Sequence, residues 1–71
     1  MNTFPSTKAK EVLAALIRIG WNIKRQFGSH RILYKYGWED HVFAYHDSRE
    51  LGHPTLKRIA KKTGLKPEDL S

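Results

Sequence analysis

The chain has 71 residues and no cysteine, and its 13 Lys and Arg outweigh its 7 Asp and Glu to give a formal net charge of +6. That length holds a single small domain, residues 1–71, and excludes a large core; the lack of cysteine excludes a disulfide staple and a thiolate metal site. The lack of cysteine also fits a reducing cytoplasm, no apolar run is long enough for a signal peptide or a membrane span, and so basic a chain calls for polyanionic partners: RNA, DNA or an acidic protein.

Residues 1–5 read as a loose tail. Ser6 or Thr7 has the side-chain oxygen to cap a first helix. Val12, Leu13, Leu16 and Ile17 then form one apolar stripe at helical spacing, and Gly20 ends the helix. Trp21 to Gln26 alternates, with Trp21 and Ile23 on one side and Asn22, Lys24 and Gln26 on the other, which predicts a strand. Gly28-Ser29 is a turn, and His30 to Tyr36 a second strand. His30, Ile32, Tyr34 and Tyr36 share one parity and are the expected core face, with His30 at its rim. Arg31, Leu33 and Lys35 share the other. Gly37 to Asp40 turns the chain, and His41 to Tyr45 is a third strand.

Asp47 to His53 reads as a loop. Pro54 suits the first turn of a second helix, where its missing N–H costs nothing. Leu56, Ile59, Ala60 and Thr63 face inward; Lys57, Arg58, Lys61 and Lys62 face outward; Gly64 ends the helix. Leu65 to Leu70 forms a further turn, with Leu65 and Leu70 touching the core. The expected fold is α+β: α-β-β-β-α, a three-stranded antiparallel sheet packed on two helices, as in the double-stranded-RNA-binding fold.

The positive charge is concentrated. No acidic residue occurs from Val12 to Trp38, a stretch that holds Arg18, Lys24, Arg25, Arg31 and Lys35. None occurs from Leu51 to Pro67, which holds Lys57, Arg58, Lys61, Lys62 and Lys66. Two acid-free basic tracts point to nucleic-acid contact more than to a surface mixed for solubility.

Particular segments go further. Val12 to Gly20 followed by Trp21, then Arg25-Gln26-Phe27-Gly28-Ser29-His30, resembles the HicA toxins (the YcfA-like family). The likeness continues at His46, through Glu50-Leu51-Gly52 and Thr55-Leu56-Lys57-Arg58-Ile59, to Thr63-Gly64-Leu65-Lys66-Pro67-Glu68-Asp69-Leu70. Where that family often has Pro-x-His at the end of the third strand, this chain has Ala44-Tyr45-His46. The resemblance implies an endoribonuclease that cleaves messenger RNA and arrests translation. It also implies a cognate antitoxin, HicB, that covers the active site.

RNA cleavage is within reach of so small a chain because RNA supplies its own nucleophile, the 2′-OH. The protein has to remove that proton, stabilise charge on the phosphorus centre and protonate the departing 5′ oxygen. Imidazole suits proton transfer near neutral pH, and Lys and Arg suit charge stabilisation. His30, directly after the Gly28-Ser29 turn, is the candidate catalytic residue; His46 is the first candidate proton donor. The blander readings are a turn histidine bonded to a backbone carbonyl and a strand-end residue capping the loop with Asp47. Candidate RNA contacts are Arg25, Ser29, Arg31, Lys35, Lys57, Arg58, Lys61 and Lys62. Strand arithmetic sets Arg25, Arg31 and Lys35 to one side and His30 to the other. The histidines at 30, 41, 46 and 53 do not pair one helical turn apart, so no metal and no other cofactor is read. Trp38, in a polar turn, is the best exposed aromatic for stacking on a base or meeting the antitoxin, whereas Trp21 and Tyr34 are expected in the core. The competing functions are a non-catalytic double-stranded-RNA-binding module and an adaptor for an acidic protein.

Overall fold

The computed structural model describes residues 3–70. In chain order the elements are β1 (Thr7–Lys8), α1 (Ala9–Arg18), β2 (Asn22–Phe27), β3 (His30–Tyr34), β4 (His41–Ala44), β5 (Glu50–Leu51) and α2 (His53–Thr63), followed by a 3-10 turn (Pro67–Leu70). β2, β3 and β4 form an antiparallel sheet in that order. The fold is α+β and like the double-stranded-RNA-binding fold: helix, three-stranded meander, helix. A ribbon is added to it. β1 pairs antiparallel with β5, Thr7 opposite Leu51, within the segment 47–53 that reads as a loop from sequence.

α1 buries Ala9, Val12, Ala15 and Leu16. Neither Ser6 nor Thr7 caps it: Lys8 occupies the capping position, and the Thr7 hydroxyl donates to the Pro5 carbonyl instead (2.7 Å). The first free amides of the helix find backbone acceptors in a distant loop. Ala9 N–H donates to the Arg49 carbonyl (2.8 Å) and Lys10 N–H to the Asp47 carbonyl (3.1 Å). Those bonds satisfy orphan helix donors and tie the 47–49 loop to α1. At the other end Gly20 takes a left-handed φ of 111°, and Lys35 Nζ donates to the Ile19 carbonyl (2.7 Å).

The sheet corrects the expected core face. Leu33 and Phe43 are fully buried and point toward the helices; Arg31, opposite Phe43, shares that side. His30, Tyr34 and Tyr36 are exposed, and Ile32 is half-buried on the open face. Strand β2 contains a second reversal. Ile23 is opposite Leu33, but Arg25 is opposite Ile32, so the register shifts by one residue at Lys24. Such a bulge flips every later side chain to the other face. Arg25 and Phe27 therefore lie on the same open face as His30, not with Arg31.

The core joins both helices to one side of the sheet: Val12, Ala15, Leu16, Trp21, Leu33, Phe43, Leu51, Leu56, Ile59 and Leu65. Phe4, read as part of a loose tail, belongs to this core, and its N–H donates to His53 Nδ1 (3.0 Å); Met1 and Asn2 lie outside the described residues. Trp21 is buried with its indole N–H on the Thr63 carbonyl (3.1 Å), and the Thr63 hydroxyl donates to the Ile59 carbonyl (2.8 Å). α2 has Pro54 in its first turn and ends on Gly64 at φ 78°. Leu65 is buried, and Leu70 packs on the core from the 3-10 turn.

Candidate active site

Phe27 and His30 flank a two-residue turn and are therefore direct cross-strand partners. Gly28 takes a φ of 60°, as the first position of a tight hairpin turn requires. The two rings stack with centroids 5.8 Å apart and planes 11° from parallel. The His30 ring is exposed and has no hydrogen-bond partner among the described residues, so it is not the turn histidine bonded to a carbonyl. Around it the open face presents Phe27 and Val42, each 54% exposed, with Arg25, Ile32 and Tyr34. The side opposite the helices is thus an uncovered, partly apolar sheet face with one imidazole and one guanidinium on it.

The other side of the same hairpin tip is a cleft of about 480 Å³ between the turn and the loop that follows β4. It is lined by Gly28, Ser29, Arg31, Tyr45, His46, Asp47 and Ser48. Arg31 and Asp47 form an ion pair at 3.0 Å, with the arginine side chain 13% exposed and the aspartate largely in solvent. Tyr45 packs edge-on to Phe43 (5.3 Å). The His46 carbonyl accepts the Arg49 N–H (3.0 Å), closing a turn in the loop already tied to α1, while its side chain borders the cleft.

The sequence-predicted residues thus fall into separate groups. Arg25 and His30 lie on the open face; Ser29, Arg31 and His46 line the cleft; and the exposed Lys57, Arg58, Lys61 and Lys62 lie on α2. Lys35 stands apart from these groups: its ammonium donates to the Ile19 carbonyl and lies 5.5 Å from the centre of the Trp38 ring. Trp38 is 43% exposed and rests edge-on against Trp21 (5.9 Å), so it is half a packing residue. Tyr34 is exposed, not in the core. Sequence reading missed Phe27, although its place across a two-residue turn from His30 was a usable signal. It also missed Asp47 as the partner of Arg31, for which no local pattern exists.

The acidity of His41 is shifted. Burial lowers its pKa from the ordinary 6.5, and the positive charge of Lys62 lowers it further. Its Nε2 is buried without a partner, and its ring stands edge-on to Trp21 at 6.5 Å. Among the described residues no group of three or more His, Cys, Asp or Glu is placed to hold a metal ion, and no helix is long and apolar enough to cross a membrane.

No curated protein matches the chain. The family described as HicA toxin of bacterial toxin–antitoxin matches residues 9–65, from the first residue of α1 to the leucine after Gly64. That span takes in both helices, the whole meander, the His30 turn and the cleft, and the chain therefore belongs to the HicA family, the toxin half of a toxin–antitoxin pair.

Proposed function

We propose that the chain works as one domain that cuts messenger RNA in the cytoplasm, with His30 as the proton-transfer residue, and so arrests translation. The observation that carries this reading is the His30 ring: exposed on an open sheet face, free of hydrogen bonds among the described residues, and held flat against Phe27 at the tip of a tight turn. A ring so placed is free to take a proton from a substrate, and the parallel Phe27 ring limits its motion. The resemblance to HicA toxins supplies the same residue independently.

The reaction follows from RNA's own chemistry. His30 removes the 2′-OH proton; the 2′ oxygen bonds to the adjacent phosphorus; the bond from phosphorus to the 5′ oxygen breaks. The departing oxygen takes a proton from water, and the products are a 2′,3′-cyclic phosphate and a free 5′-OH; His46, the first candidate acid from sequence, lines the cleft on the other side of the hairpin tip. Arg25, on the open face, is placed to offset charge on the phosphorus centre. Ser29 and Arg31 hold the strand at the hairpin tip, and Lys57, Arg58, Lys61 and Lys62 hold more distant phosphates. The partner is a HicB-type antitoxin, and the exposed Phe27, Tyr34 and Val42 around His30 are the apolar surface it would cover.

The test is cleavage of a long RNA by the chain and by His30→Ala, with melting curves for both. We expect the variant to melt within a degree or two of the parent, since little packing is lost, and to leave RNA intact. Product ends should be cyclic phosphate and 5′-OH, with EDTA without effect. A folded His30→Ala protein that still cuts RNA removes the catalytic assignment; a parent chain that binds RNA and never cuts it is a binding module.

A further inference from the structure

One face of the Phe27 ring lies against the His30 imidazole, with centroids 5.8 Å apart and planes 11° from parallel. β2 is an edge of the sheet, whose order is β2-β3-β4, so no strand lies beyond the other face. Phe27 is 54% exposed even with the imidazole against it. Its backbone is held, because it pairs with His30 across the two-residue turn in which Gly28 takes a φ of 60°. The uncovered face of the ring is therefore presented at a set distance from the imidazole. A phenyl ring left in water on a sheet edge adds little to the fold and invites a contact from outside it. Arg25 precedes Phe27 by two residues and, beyond the Lys24 bulge, shares its face, about 7 Å away along the strand. Arg25 is exposed, and its guanidinium makes no hydrogen bond or ion pair among the described residues. An unpaired cation beside an uncovered aromatic face suits one nucleotide: the base offers a π-surface to the ring, and the phosphate a charge to the guanidinium.

We propose that Phe27 is the base-stacking residue of this site. On the ring face turned away from His30 it seats the base of a nucleotide that flanks the scissile linkage, while Arg25 reaches the phosphate joined to that nucleotide. The proposal rests on the reading of the chain as an RNA-cutting toxin. It adds a register, because a base held beside the imidazole brings one particular 2′-OH within reach of His30. The phenyl ring has no hydrogen-bonding group, so it recognises a flat π-surface and not the pattern of donors and acceptors on a base edge. At that one position the chain prefers purines to pyrimidines, through their larger stacking area, and treats A and G alike.

The experiment uses the whole chain and a 2′-O-methyl RNA strand, which has no 2′-OH to attack, so binding is read without cleavage. Natural RNA of the same sequence marks where the chain cuts. The rate of cutting is not the readout, because Phe27→Leu also removes the ring that braces His30. Each base is replaced in turn by an abasic site, and Kd is measured for the parent chain and for Phe27→Leu, with melting curves for both. We expect one position, next to the cut, at which loss of the base weakens the parent about tenfold and Phe27→Leu by less than about twofold. At that position the parent should also bind uridine more tightly than 5,6-dihydrouridine, which keeps its hydrogen-bonding groups but is not planar. If loss of the base weakens both proteins equally at every position, if dihydrouridine binds as well as uridine, or if the coupled position lies away from the cut, the stacking site is overturned and the exposed ring is left to a protein partner. If the coupling is present and natural RNA is never cut, the stacking site stands and the catalytic reading falls. Should Phe27→Leu fail to fold, Phe27→Trp takes its place. Its larger ring should tighten binding to the intact strand and lose that gain at the abasic position; a gain that survives removal of the base at every position overturns the site.

Discussion

At the scale of single residues, two buried nitrogens without partners mark different things. Arg31 Nη1 lies behind the ion pair that the other terminal nitrogen makes with Asp47; His41 Nε2 lies in a ring that stands edge-on to Trp21, where burial disfavours the charged form. Burial, and then Lys62, lower the His41 pKa below 6.5. The folded chain therefore disfavours the proton that the unfolded chain accepts at the ordinary pKa. The stability linked to this difference is fully present above about pH 6.5 and is lost as pH falls through that value toward the lowered one. Melting temperatures measured from about pH 7.5 to pH 5 should decline on the acid side, and His41→Phe should flatten that decline. An unchanged slope in His41→Phe would assign the acid sensitivity to other groups.

The ends of the helices show how much of each element was local. Gly20 and Gly64 stop α1 and α2 because each adopts a left-handed φ, and Pro54 falls in the first turn of α2, as the residue types alone predict. Gly64 carries a second constraint that is not local: a Cβ there would come within 3.0 Å of Trp38 Cη2, and that ring is itself backed by Trp21. Gly37 has a similar φ of 86° but open space around it. Gly37→Ala should therefore lose about 1–2 kcal/mol for the backbone conformation, and Gly64→Ala should lose clearly more, because the indole has to move. Urea unfolding of both variants reads the difference. Equal losses would mean that the Trp38 ring yields freely. The start of α1 was not legible in the same way. Ser6 and Thr7 have the right chemistry for a cap, yet carbonyls of Asp47 and Arg49, some forty residues away, take the amides. The Lys24 bulge was equally hidden, since an extra residue in a strand leaves no mark on composition.

Over the whole molecule the charge of +6 is divided between the hairpin strands and the outer face of α2, where Lys57, Arg58, Lys61 and Lys62 are all exposed. Long cations on one helical face follow phosphates but do not read bases. Replacing Lys61 and Lys62 together with Ala should lower the log–log salt slope of RNA binding by about one to two, since each phosphate contact contributes roughly 0.7–0.9. The cleavage pattern on a long RNA should stay the same. An unchanged slope, together with lost antitoxin binding, would make this face a protein interface and confine RNA to the hairpin tip.

The sequence by itself determined the order of the elements, most of their ends, the inward stripes of both helices and the place of His30 beside a turn. Each of these depends on a side chain's own conformational preference or on spacing within one element. Tertiary structure alone decided which face of the sheet is core, that Arg25 and Phe27 share the open face with His30, and that Arg31 meets Asp47 across a cleft. His30, Ile32, Tyr34 and Tyr36 are together more apolar-looking than Arg31, Leu33 and Lys35, so parity favoured the wrong side. Leu33 with Phe43 packs against two helices, and the cations beside it bury their stems while their heads find Asp47 and the Ile19 carbonyl. A strand's core face is chosen by what covers it, and the covering residues lie in other elements of the chain.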